Sequence, residues 1–63
     1  MKPVNERELL TVDEAADYLG LSRSTLYQYA SARILPSYKL GRLLRFDRRD
    51  LDSWIASRRV ESV

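Results

Sequence analysis

Sixty-three residues suffice for one domain, and a chain of that size buries only about 60% of its unfolded surface, so stability rests on a small core and well-made helix ends. With no cysteine and no histidine, disulfides, the usual zinc ligand sets and every Ser-His-Asp or Cys-His catalytic arrangement are excluded. The formal charge of +2 is unevenly spread: residues 1–19 carry −3, residues 20–60 carry +6 from eight arginines and Lys39 against Asp47, Asp50 and Asp52, and Glu61 adds −1.

Residues 1–8 are charged and without period, and read as a flexible N-terminal arm. A domain at 9–60 and a tail at 61–63 complete the expected organisation. The first helix starts at Thr11, an N-cap whose capping box is completed by Glu14 three residues on. Val12, Ala15, Ala16 and Leu19 then fall on one helical face, and Gly20 ends the helix. Ser22 caps a second helix almost at once, with Leu21 and Leu26 spaced as a hydrophobic staple. Leu26, Tyr29 and Ala30 form its inward face, and it should end by Arg33, ahead of Pro36.

Residues 37–40 and 43–46 flank Gly41-Arg42 as a short hairpin. Period-two alternation predicts Tyr38, Leu40, Leu44 and Phe46 on one face, with Lys39, Arg42, Leu43 and Arg45 outward or at the tip. Asp47 caps a third helix, with Asp50 at N3, Phe46 and Leu51 as a second staple, and Leu51, Trp54 and Ile55 as the apolar stripe; it should run to Arg58 or Arg59. The predicted core is Val12, Ala15, Ala16, Leu19, Leu26, Ala30, Leu35, Leu40, Leu44, Phe46, Leu51, Trp54 and Ile55. The fold class that follows is mainly α with a small β-hairpin, a winged helix-turn-helix in the order helix-helix-hairpin-helix.

Two helices joined by Gly20-Leu21-Ser22, with small Ala15 and Ala16 permitting close approach, project the start of the second helix as a groove reader does. A helix N-terminus also attracts phosphate, and the basic hairpin that follows adds to the case for nucleic acid. A solvated basic face on an ordinary helical corner is the plainer alternative. No glycine-rich phosphate loop exists, since Gly20 and Gly41 are the only glycines. No enzymatic activity, cofactor, metal or small-molecule substrate is expected. No apolar run approaches the ~20 residues that span a bilayer, and the polar start lacks the apolar stretch of a signal peptide, so a cytoplasmic, non-membrane protein is expected.

The run from Thr11 to Tyr27 closely resembles the excisionase-type branch of the MerR-like winged helix-turn-helix domains. The likeness continues through Leu35-Pro36, Leu40-Gly41-Arg42, Arg45-Phe46 and Asp50 to Ile55, and covers nearly everything from Leu9 to Arg59. It implies that the second helix enters the major groove and that the wing reaches the neighbouring minor groove or backbone. It places Arg23, Ser24, Thr25, Tyr27 and Gln28 on the recognition helix, and Lys39, Arg42 and Arg45 on the wing. Arg23 suits guanine or phosphate, phosphate being slightly preferred because most contacts go to the backbone. Gln28 suits adenine, or stands as a solvated amide. Ser24 and Thr25 suit phosphate, or act as local capping groups. Tyr27 suits backbone or a thymine methyl, and Arg42 is the minor-groove candidate.

Some positions depart from the family pattern. Gln28 and Ser31 stand where basic residues are common, and Arg33 where a glycine often ends the helix. Ile34 replaces a usual charge, with burial against Leu35 or Trp54 expected ahead of an exposed position as a protein contact, and Asp47 replaces a common proline. The resemblance implies a sequence-specific DNA-binding protein of a mobile element, acting as an excisionase, that is, a recombination directionality factor. Its implied partners are double-stranded DNA, further copies of itself on adjacent sites and an integrase. A small transcriptional regulator of the same fold remains the alternative, and a protein-interaction module, either integrase adaptor or anti-repressor, the alternative of another class.

Overall fold

The computed structural model describes residues 8–60. In chain order the elements are strand β1 (Leu9–Leu10), helix α1 (Val12–Leu19), helix α2 (Arg23–Ser31), strand β2 (Tyr38–Leu40), strand β3 (Leu43–Asp47) and helix α3 (Arg48–Ser57). The three helices and the hairpin follow the order read from the sequence. Residues 1–7 of the expected arm and the tail at 61–63 lie outside the described residues. Glu8, the last residue of that expected arm, is tied down: its carbonyl accepts the Arg48 N–H at 3.0 Å and its carboxylate meets the Arg48 guanidinium at 3.1 Å.

Each helix begins with a local side-chain bond. Thr11 is extended at φ −73°, and its Oγ1 accepts the Glu14 N–H at 3.1 Å while Glu14 Oε1 accepts the Thr11 N–H at 2.9 Å. This reciprocal box satisfies two donors that the first turn would leave open. Gly20 then takes left-handed geometry at φ 70°, and the Leu21 N–H reaches back to the Ala16 carbonyl at 2.9 Å. Ser22 caps α2 by accepting the Thr25 N–H at 3.1 Å. Asp47, itself buried, caps α3 by accepting the Arg49 N–H at 2.9 Å.

The end of α2 is less usual. Arg33 adopts φ +60°, the one non-glycine residue among those described with positive φ. The Ile34 N–H donates back to the Tyr29 carbonyl at 2.9 Å. Arg33 thus occupies the left-handed position that a glycine commonly fills, at a cost of roughly 1–2 kcal/mol.

The sheet has the strand order β1-β3-β2, all antiparallel. Strand β1 has no counterpart in the sequence pattern. Two residues cannot display a period, and only the pairing of Leu10 with Phe46 and Leu9 with Asp47 makes the strand. The hairpin register also corrects the expected faces. Leu40 stands opposite Leu43, Lys39 opposite Leu44 and Tyr38 opposite Arg45. Directly opposed residues share a face, so Tyr38 and Leu40 go with Leu43 and Arg45, not with Leu44 and Phe46. A two-residue loop reverses the parity that simple alternation carries through the turn.

The core is Leu10, Val12, Ala15, Ala16, Leu26, Leu35, Phe46 and Leu51, with Leu19, Tyr29, Ala30, Leu44 and Trp54 packed against it. Ala15 is fully buried and Ala16 nearly so, which lets α2 pack closely on α1. The Tyr29 and Trp54 rings meet at 5.9 Å with a 51° tilt. Two expected core residues are outside it: Leu40 is 48% exposed and Ile55 45%. Ile34, expected to be buried, is 43% exposed. So small a chain lacks the interior to cover all its apolar side chains.

Candidate nucleic-acid interface

Helix α2 has its N-terminal turn on the surface. Arg23, Ser24, Tyr27 and Gln28 are all exposed there. Thr25 differs. It is half-buried, its N–H donates to Ser22 Oγ, and its hydroxyl accepts from Ser22 Oγ at 2.9 Å. Both of these groups are engaged in the cap.

Across from this turn lies the wing. Lys39 on β2 is exposed, and Arg42 is exposed at the turn next to Gly41, whose φ of 65° the tight loop requires. Arg45 on β3 is half-buried, and its guanidinium donates to the Leu44 carbonyl at 3.0 Å. Arg23, Tyr27, Lys39, Arg42 and Arg45 border one concave surface between α2 and the wing. Ser24, Thr25 and Gln28 do not border it. Five of the eight residues expected from the sequence are thus brought together, and three sit on other aspects of α2.

Two further charged residues on this surface lie beyond that expected set. Arg33 borders it from the end of α2. Its signal in the sequence is an arginine in a glycine position, which by itself speaks only of how the helix ends. Asp13, at the start of α1, borders it too and pairs with Arg23 at 2.9 Å. No local spacing shows that contact, because it crosses the helix-turn-helix corner. Tyr27 and Asp13 together raise the Arg23 guanidinium above its ordinary pKa.

The basic residues of the second half divide into groups with different neighbours. Arg48 lies over the Tyr18 ring at 5.3 Å from its centre, and Tyr18 and Glu8 raise its pKa. Tyr18 in turn donates to Asp52, which links α1 to α3. Arg58 stacks on Trp54 at 5.1 Å. Neither Arg48 nor Arg58 borders the concave surface. The wing and α2 with its C-terminal turn therefore concentrate Arg23, Arg33, Lys39, Arg42 and Arg45 on one side. No helix among the described residues is long and apolar enough to cross a membrane.

A capped helix pair joined by a three-residue turn, flanked by an antiparallel wing with a basic concave surface between them, defines a winged helix-turn-helix protein that binds DNA. The chain belongs to the helix-turn-helix domain family, whose pattern it matches over residues 9–59. It is 42% identical over 50 residues to a probable excisionase of Saccharopolyspora erythraea, covering 79% of this chain and 51% of that protein. It is also 33% identical over 57 residues to the uncharacterised protein YvgK of Bacillus subtilis strain 168, covering 90% of this chain and 18% of that protein. The chain thus spans about half of one of these relatives and under a fifth of the other.

Proposed function

We propose that the chain is a sequence-specific DNA-binding factor of a mobile element, acting as a recombination directionality factor of the excisionase kind. The observation that carries this reading is the basic concave surface between α2 and the wing, in a chain similar to a probable excisionase. In this reading α2 lies in the major groove, with Arg23 and Tyr27 facing DNA from the concave side, the exposed Ser24 and Gln28 beside them, and Thr25 serving the helix cap. The wing reaches the adjacent minor groove or backbone through Lys39, Arg42 and Arg45, with Arg42 at the tip entering the groove. The role needs binding and DNA shaping but no catalysis by this chain, and it is exercised in the cytoplasm.

A single small module buries about 600–1,000 Å² of protein surface on DNA. Function therefore calls for several copies side by side on adjacent sites, bending the duplex, or for an integrase bound next to them. Gel-shift titration and a bending assay on the attachment-site DNA of the element test this directly. Cooperative, ladder-like complexes with a bend are expected. Independent single binding without a bend, or binding confined to a promoter, would overturn the excisionase role and leave a regulator of the same fold.

A further inference from the structure

The ion pair between Asp13 and Arg23 lies within the basic surface, not behind it. Asp13 is in the first turn of α1 with its side chain 71% exposed, and Arg23 begins α2 with its side chain 58% exposed. An acidic side chain on a surface that receives a polyanion lowers general affinity. Its placement has two physical consequences.

First, Arg23 Nη1 is held by Asp13 Oδ1 at 2.9 Å. A guanidinium is a planar fork of five donors, so fixing one corner limits the orientations of the rest. Second, a phosphate brought to that guanidinium also approaches the Asp13 carboxylate, and two anions at short range repel. A guanine edge offers O6 and N7 as acceptors without a formal charge, and its paired cytosine presents an N4 amino donor that a carboxylate accepts. The pair is thus compatible with a G·C edge and unfavourable to a backbone phosphate.

Resting on the reading that α2 lies in the major groove, we infer that Asp13 is a positioning residue that makes Arg23 a reader of guanine in place of a phosphate anchor. Base preference at one position is then set by a residue of the first helix, through a contact that crosses the turn. This reverses the slight preference for phosphate that Arg23 carries when considered alone.

The test is selection of bound duplexes from a random-sequence DNA library by the full chain and its variants. The wild-type chain is expected to enrich guanine at one position. Asp13→Asn should cut that enrichment at least about fivefold, the lower range for one bidentate base contact. The same variant should bind unselected duplex more tightly. Asp13→Glu, which keeps the anion, should keep the preference; Arg23→Lys should lose it, and the Asp13→Asn/Arg23→Lys pair should lose no more than Arg23→Lys alone. A merely structural Asp13 would weaken binding to all duplexes alike. The inference is overturned if Asp13→Asn retains the full guanine preference, or if no guanine position responds to Arg23→Lys. If the wild-type chain retains no duplex from the library, the DNA-binding reading itself falls, and the inference with it.

Discussion

Leu10 and Phe46 stand opposite each other across the β1–β3 ladder, both buried, each one residue ahead of a helix N-cap. The pair joins the start of α1 to the start of α3, so the orientation of two helices depends on a two-residue strand. Leu10→Ala is expected to cost about 2–3 kcal/mol, the lower range for a truncated core leucine. A domain of this size has only about 3–5 kcal/mol from its core, so this is a large share. Urea unfolding followed by circular dichroism checks it. An unchanged midpoint would mean that β1 does not belong to the core.

The caps of α1 and α2 are local and separate from each other. Thr11→Ala and Ser22→Ala should each lower stability by ~1 kcal/mol. In a domain of this length that is a fall of about 4–8 °C in melting temperature for each. The double variant should show roughly the sum, because Thr11 bonds with Glu14 and Ser22 with Thr25, and no residue takes part in both caps. Thermal melts of the three variants decide it.

Arg33 combines a backbone cost with a place on the basic surface. Arg33→Gly should relieve the left-handed strain but enlarge the freedom of the unfolded chain, for a net gain of about 0.5–1 kcal/mol. It should also weaken DNA binding, since one cation leaves the concave face. A variant that melts higher yet binds DNA less well is the expected outcome. Melting curves and fluorescence anisotropy on the same preparation measure both.

The wing cations should neutralise DNA charge, Lys39 and Arg45 at phosphates and Arg42 from within the minor groove. Lys39→Ala, Arg42→Ala and Arg45→Ala should each flatten the slope of log affinity against log salt by about 0.9 for every phosphate left without its cation. Arg48→Ala is the control, because its side chain is engaged with Glu8 and Tyr18 away from the concave surface. It should leave the slope unchanged. Anisotropy titrations at several salt concentrations separate the two groups.

The hairpin register predicts a contrast between two leucines. Leu40→Thr removes a half-exposed side chain and should change stability by less than ~0.5 kcal/mol. Leu35→Ala empties a fully buried position and should cost about 2–5 kcal/mol. Comparable losses in the two variants, measured by urea unfolding, would place Leu40 in the core after all.

The helix ends are the most legible part of the chain. Thr11-Glu14, Gly20, Ser22 and Asp47 act over two to five residues, so their spacing in the sequence is their geometry in space. The hairpin turn is legible for the same reason, but the facing of its strands is not. Alternation counted along the chain loses its parity at Gly41-Arg42, where a two-residue loop sets Leu40 against Leu43. Leu40 and Ile55 fit apolar stripes, yet the interior is already filled by side chains from five elements and by Leu35 of the loop before the wing.

Composition, caps and spacing by themselves determined the helix-turn-helix, the wing and most of the basic residues that flank it, because those features are local or additive. The tertiary structure decided what depends on chain segments far apart in sequence. It added β1 through its pairing with β3, and assigned Arg48 and Arg58 to aromatic rings instead of the concave face. It also set Asp13 against Arg23 across the corner between two helices. Those contacts arise when separate elements are packed together, and no period or motif along the chain encodes the distance between them.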